Sequence, residues 1–141
     1  MKDELFLDTG YVIALSVAND RYHEHALRLA EQIEEQNIRL VTTRAILLEI
    51  GNALSKERYR PAAVKLIESL ENDPNVEIVP LSEDLFTRAF QLYKDRADKD
   101  WGLIDCVSFV VMKDRKIMDA LTSDEHYEQS GFRALLEEPS L

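Results

Sequence analysis

The chain of 141 residues contains one cysteine, Cys106, so no disulfide forms within it. That fits a reducing compartment. Glycine and proline number four each, too few for a long linker or a low-complexity tail. Basic residues are also scarce: 17 Lys and Arg stand against 27 Asp and Glu, a net charge of −10. A field of that sign does not draw in nucleic acid, so action on RNA or DNA needs metal ions or a local basic patch. No apolar run approaches the ~20 residues of a membrane span. The opening residues, Met1-Lys2-Asp3-Glu4-Leu5, are charged and lack the apolar stretch of a signal peptide. The letters KDEL occur there, but that address is read only at a C-terminus. Together these absences predict a cytoplasmic protein with no membrane partner.

What remains is a globular composition, 45% hydrophobic and 31% charged, in a length suited to one core. A single domain over residues 1–141 is expected. Leu5-Phe6-Leu7 reads as a buried strand ending at Asp8, and Tyr11 to Val17 as a helix broken by Asn19-Asp20. Ala26, Leu29, Ala30 and Ile33 recur at spacings of three and four, which predicts an amphipathic helix over residues 22–36. Further strands are expected at Ile38–Val41, Val76–Val79 and Ile117–Leu121, with an edge strand at Phe132–Leu135. Thr42-Thr43, Pro61 and Ser82 mark helix starts. Leu103–Met112 predicts a helix with almost no polar face. Strands alternating with helices imply an α/β fold with a mainly parallel sheet covered on both faces. In such folds the site lies beyond the carboxyl ends of the strands.

Four acids stand in apolar surroundings: Asp8 after Leu5-Phe6-Leu7, Glu49 within Ile46-Leu47-Leu48-Glu49-Ile50, Asp105 within Leu103-Ile104-Asp105-Cys106-Val107, and Asp124 after Leu121-Thr122-Ser123. Taken singly, each has a plainer explanation. Glu49 fits the wet stripe of its helix. Asp8 and Asp124 fit helix caps. Asp105 is harder to dismiss, because its helix offers so little polar face. Taken together, they form a site if they converge. Two carboxylates ~4 Å apart repel by about 4 kcal/mol at an effective dielectric of 20. A divalent cation turns that repulsion into binding. Oxygen-only ligands suit Mg²⁺ or Mn²⁺ rather than Zn²⁺. Such an ion activates water and stabilises a phosphodiester's leaving oxygen. It also lets an acidic protein hold a polyanion.

On these residues the chain resembles the PIN-domain nucleases, and within them the VapC-like toxins of toxin–antitoxin pairs. Leu5-Phe6-Leu7-Asp8-Thr9-Gly10 is similar to the family's opening strand and first acid. Thr42-Thr43-Arg44-Ala45-Ile46-Leu47-Leu48-Glu49-Ile50 is similar to its second-acid helix. Asp100-Trp101-Gly102-Leu103-Ile104-Asp105-Cys106-Val107-Ser108-Phe109 resembles its third-acid motif, and Leu121-Thr122-Ser123-Asp124-Glu125-His126-Tyr127 with Gly131-Phe132 its closing motif. Order and spacing agree along essentially the whole chain. Gly102 stands where Ser or Thr is frequent, and Tyr127 where Phe is common. The resemblance implies a three-layer α/β/α sandwich and a metal-dependent endoribonuclease, the toxin of such a pair. Asp8, Glu49, Asp105 and Asp124 would hold Mg²⁺ or Mn²⁺ and carry catalysis, with Thr9 and Thr122 supporting them. Cleavage of single-stranded or structured RNA would leave a 3′-hydroxyl and a 5′-phosphate. A homodimer and an antitoxin partner are further implications.

Other residues carry weaker signals. Arg44, Lys56, Arg58 and Arg60 are candidate phosphate contacts, with Tyr59 among them to stack a base, although a solvated turn is the plainer explanation. His23 and His25 point in different directions on a helix and are expected to be exposed. His126 follows the fourth acid, and a surface role is expected for it. Cys106 and Trp101 are expected to be buried, and Ser108 lies one helical turn beyond Asp105. A phosphotransferase on a similar sheet needs a second acid two residues after Asp8, where Gly10 stands. A phosphoacceptor receiver domain needs an Asp after the third strand, which ends instead in Val79-Pro80-Leu81. A degenerate PIN module that only binds nucleic acid or a protein stays open.

Overall fold

The structure, a computed structural model, describes residues 3–139 and residue 141. Five strands form one parallel sheet: β1 (Glu4–Leu7), β2 (Arg39–Thr43), β3 (Val76–Val79), β4 (Asp119–Leu121) and β5 (Arg133–Ala134). Their spatial order is β3-β2-β1-β4-β5. Among the described residues seven helices connect them: α1 (Thr9–Ser16), α2 (His23–Glu35), α3 (Arg44–Ala53), α4 (Arg60–Asn72), α5 (Glu83–Asp95), α6 (Leu103–Arg115) and α7 (Glu125–Gln129). A short 3-10 turn, Leu135–Glu137, follows β5. Among the described residues no helix is long and apolar enough to cross a membrane.

Neighbouring residues of a strand face opposite sides of a sheet, and β1 displays this directly. Leu7 lines a groove of about 710 Å³ shared with Tyr11 and Val12 of α1, Ile33 of α2 and Leu66 of α4. Phe6 turns the other way, its ring 6.4 Å from that of Tyr127 on α7. Tyr127 in turn meets Phe109 of α6 edge-on at 5.0 Å, and Phe109 meets Trp101 edge-on at 5.1 Å. Helices thus cover both faces, and the expected three-layer α/β/α sandwich is what the chain adopts. The register sets β1 in the middle, with Phe6 opposite Val41 of β2 and Ala120 of β4.

The local signals act as their chemistry requires. Thr43 caps α3, its hydroxyl accepting from Ile46 N at 3.1 Å, and Ser82 caps α5 through Leu85 N at 3.1 Å. Pro61 sits in the first turn of α4, where its missing N–H leaves nothing unpaired. Helix α6 buries every residue from Cys106 to Met112, which is why its sequence lacks a polar face. Gly131, at φ +96°, makes the left-handed turn between α7 and β5 that a side chain would strain. The fourth strand is shorter than the apolar run suggests. Lys116 takes a left-handed conformation, and Ile117 N bonds back to Met112 O at 2.9 Å. Ile117 therefore closes α6 instead of opening β4.

Candidate active site

The four acids come from four different elements and gather at the carboxyl end of the sheet. Asp8 follows β1 at the cap position of α1, yet its side chain makes no capping bond. Its Oδ2 accepts instead from the Thr122 hydroxyl, just beyond β4, at 2.7 Å. The same Thr122 oxygen accepts from Asp124 N at 3.1 Å. One hydroxyl thus joins the first acid to the fourth. Asp124 caps α7, its Oδ1 accepting from His126 N at 2.9 Å, so its plainer role is real alongside its place in the cluster.

Asp105 occupies the third position of α6, near the positive end of the helix dipole. Its Oδ2 accepts from Gly102 N at 3.0 Å and lies 3.0 Å from His126 Nδ1. Glycine at the cap supplies no side chain, so Asp105 alone completes that reciprocal arrangement. Glu49, half-buried on α3, is not on a wet stripe. Its Oε1 accepts from the Thr9 hydroxyl in a short contact. Its charge also reaches Asp8. Thr9 and Thr122 therefore each hold one acid.

Electrostatics follow from the crowding. Burial pushes the Asp8 carboxyl up to about 6 against the opposing Thr122 bond, and the Glu49 charge adds to the rise. Burial also raises Asp105, opposed by the Gly102 N–H and His126 and reinforced by Asp124. His126 is raised although its partial burial works the other way, because the bond to Asp105 and the charges of Asp124, Asp105 and Glu125 prevail. The phenol of Tyr127 is raised by burial and by the Asp8 and Asp105 charges. Its hydroxyl is buried beside Asp8 and Ser108 and closes no well-formed hydrogen bond among the described residues. Ser108, fully buried, bonds to Ile104 O at 3.3 Å.

Three expectations about histidine need correction. His126 is not a surface residue; it is half-buried between two of the acids, 3.5 Å from Asp124 Oδ1. His23 and His25 are half-buried too, with ring nitrogens 2.7 Å from Ala14 O and 3.1 Å from Leu135 O. Both lie on α2, which the chain's C-terminal turn covers at Leu135. Cys106 and Trp101 are buried as expected; burial and Asp105 push the Cys106 thiol up to about 11. The Trp101 indole N–H donates to Gln129 at 3.0 Å, tying the loop before α6 to α7.

Of the basic candidates, two are engaged within the protein and two are exposed. Arg44 pairs with Glu71 of α4 at 2.7 Å, and Arg60 Nη2 bonds to Ser55 O at 2.8 Å. Lys56 and Arg58 stand exposed between α3 and α4, with Arg58 4.7 Å over the Tyr59 ring.

The donor set fits a hard divalent cation. One atom each of Asp105, Asp124 and His126 lies within 4.8 Å of the others. Asp8 is tied to that group through Thr122, and the charge of Glu49, held by Thr9, reaches Asp8.

Comparison with known proteins agrees. The PIN domain family model matches residues 5–132. The 23S rRNA-specific endonuclease VapC20 of Mycobacterium tuberculosis is 25% identical over 128 residues, 91% of this chain and 95% of that protein. The crystal structure of VapC20, described as a sarcin–ricin loop cleaving toxin, superposes with a TM-score of 0.82 at 24% identity, covering 92% of this chain and 96% of the other. VapBC-1 from nontypeable Haemophilus influenzae gives 0.65 at 15% identity over 93% and 97%. VapBC2 from Rickettsia felis, bound to a promoter DNA fragment, gives 0.64 at 12% over 89% and 92%. With nearly the whole chain matched by the family model, the protein belongs to the PIN domain family.

Proposed function

We propose that this protein is a divalent-cation-dependent endoribonuclease and the toxin of a toxin–antitoxin pair, acting in the cytoplasm. The observation that carries it is the convergence of Asp8, Glu49, Asp105 and Asp124 from four separate elements, with Thr122 and Thr9 fixing two of them. Mg²⁺ or Mn²⁺, when bound, supplies positive charge to the phosphodiester and acidifies water. The four carboxylates are its proposed ligands. Thr122 aims Asp8 and Thr9 aims Glu49, so the acids stay in place despite their mutual repulsion. Water attacks phosphorus as the bond to the 3′-oxygen breaks; the water's proton would pass to a carboxylate and the leaving 3′-oxygen would take a proton from solvent, giving a 3′-hydroxyl and a 5′-phosphate. The half-burial of Asp105 and His126 limits bulk water around the cluster.

Lys56 and Arg58, exposed just after the helix that carries Glu49, are the proposed phosphate contacts. Arg44 and Arg60 are already paired within the protein and rank behind them. Because VapC20 is a 23S rRNA endonuclease, ribosomal RNA is the first natural substrate to try.

The proposed antitoxin segment enters the groove between α1, α2 and α4. Its walls are apolar, while Glu34 and Asp73 on its lining favour a partner bearing Lys or Arg. A homodimer is proposed through α5. Phe86, Phe90 and Tyr93 form an exposed stacked row there, with centroids 6.0 and 6.3 Å apart. The helix begins with Glu83 and Asp84 and carries Lys94 in its last turn, ahead of the terminal Asp95. Two copies packed antiparallel about a two-fold axis bring unlike charges opposite each other.

The test is cleavage of a single-stranded RNA and of 23S rRNA with Mg²⁺ or Mn²⁺, and its loss in Asp105→Asn. Equal cleavage by the variant would place the activity elsewhere. Metal binding by calorimetry without any cleavage would favour a module that only binds.

A further inference from the structure

The four acids leave out a ring nitrogen that the structure sets beside two of them. His126 Nδ1 lies 3.0 Å from Asp105 Oδ2 and 3.5 Å from Asp124 Oδ1. Ligand atoms at adjacent corners of an octahedron with ~2.1 Å bonds stand ~3.0 Å apart. The ring nitrogen and the two carboxylates therefore have the spacing of neighbouring ligands on one ion. A hydrogen bond from an imidazole to a single carboxylate gives a similar distance, but here one nitrogen faces two carboxylates.

The ring is also held for this position. His126 N donates to Asp124 Oδ1 at 2.9 Å, so the first turn of α7 fixes ligand and ring together. An independent observation points the same way. The next residue, Tyr127, has a fully buried hydroxyl that closes no well-formed hydrogen bond among the described residues, although Asp8 and Ser108 lie beside it and the Asp105 charge reaches it. A buried hydroxyl without a partner is rare and calls for a water or an ion nearby.

We propose that His126 Nδ1 is a direct ligand of the divalent cation, making this a mixed nitrogen–oxygen site that favours Mn²⁺ over Mg²⁺. The inference rests on the metal-dependent reading above and adds the identity of a ligand and the preference that follows. In the bound form the ring carries its proton on Nε2, leaving the Nδ1 lone pair for the metal. Mg²⁺ is held by oxygen and gives up its water reluctantly. Transition-metal dications accept imidazole more readily, in the usual order of affinities. An imidazole between two carboxylates therefore shifts selectivity away from Mg²⁺ in a way an all-carboxylate site does not.

The experiment uses the full chain loaded with Mn²⁺ and pulsed electron paramagnetic resonance, which detects a directly bound nitrogen through its hyperfine coupling. The expected result is a ¹⁴N coupling that changes to ¹⁵N when only histidine is labelled, and that vanishes in His126→Gln. His23 and His25 are bonded to Ala14 O and Leu135 O and do not contribute. Calorimetry should show Mn²⁺ affinity falling ~10–100-fold in His126→Gln, with Mg²⁺ affinity changing less than about threefold. The spectrum of the wild-type protein decides the matter even if the variant folds poorly. Mn²⁺ binding without histidine coupling overturns the inference and leaves the metal-dependent reading intact. So does an equal loss for both metals. No binding of either metal by the wild type overturns both.

Discussion

The hydroxyl of Thr122 donates to Asp8 Oδ2 at 2.7 Å while accepting from Asp124 N at 3.1 Å. It is 1% exposed, so water cannot replace either bond. Thr122→Val keeps the shape and removes both. The buried Asp8 carboxylate and the Asp124 amide are then left short of partners, at about 1–3 kcal/mol in stability. Because the lost bonds orient two proposed ligands, metal affinity should fall ~10–100-fold. Thr122→Ser should restore both. Thermal unfolding and Mn²⁺ calorimetry on the three proteins check this. A Val variant that binds metal as tightly as wild type would show that the hydroxyl is only structural.

The raised Asp8 carboxyl gives stability a definite pH dependence. Its value rises from 3.8 to about 6. The folded protein thus keeps a proton that the unfolded chain has released across roughly pH 4 to 6. The stability tied to this proton is full below 3.8 and lost as pH rises through 6, a difference of about 3 kcal/mol. Asp105 is raised in the same sense. His126 is raised as well, so its contribution is present below 6.5 and disappears above its folded value. With chelator present, the melting temperature should be lower at pH 7.5 than at pH 5. Asp8→Asn should raise it at pH 7.5 and do less at pH 5. Excess Mn²⁺ should narrow the gap, since a ligand of the folded state stabilises it. A metal-free protein that melts at the same temperature at both values would contradict this account.

Much of the fold and of the acid cluster was legible because burial leaves local traces. Asp8 and Asp105 stand out against apolar neighbours. Helix α6 looks uniformly apolar because it is covered all round from Cys106 to Met112. What escaped detection depends on contacts between distant parts of the chain. His126 sits in a polar turn, and only the packing of α7 against α6 brings its ring to Asp105. A histidine two residues from a site acid was the available signal. The burial of His25 leaves no local trace for the same reason: its partner is Leu135, 110 residues on. Helix α5 offers two apolar faces. Periodicity cannot tell that Leu85 and Ala89 are buried while Phe86 and Phe90 are exposed.

The Tyr127 hydroxyl provides a separate test of the site. It is buried and closes no well-formed hydrogen bond among the described residues, an arrangement that costs about 1–3 kcal/mol unless something satisfies it. Tyr127→Phe removes that cost and keeps the ring between Phe6 and Phe109. In chelator the variant should be as stable as wild type or more so. With saturating Mn²⁺ the advantage should shrink, because an ion and its waters satisfy the hydroxyl. Thermal denaturation of both proteins, with and without metal, reads the effect. A variant destabilised by more than about 1 kcal/mol in chelator would mean that the hydroxyl already has a partner in the metal-free protein.

The exposed row on α5 predicts an association that a single charge disrupts. Phe86, Phe90 and Tyr93 are each more than 40% exposed, and Lys94 lies 5.0 Å from the Phe90 ring centroid. Burying three such rings on each copy removes enough apolar surface to drive pairing, at roughly 25 cal/mol per Å². Phe90 is central in the row, so near the two-fold axis it meets its own counterpart. Phe90→Glu then places two like charges in an apolar contact. Light scattering coupled to gel filtration should give a dimer for the wild type and a monomer for the variant. Because Phe90 does not belong to the buried core, the variant's melting temperature at low concentration should stay within a few degrees of the monomeric wild type's. A wild type that remains monomeric up to the highest soluble concentrations would rule out this face as the interface.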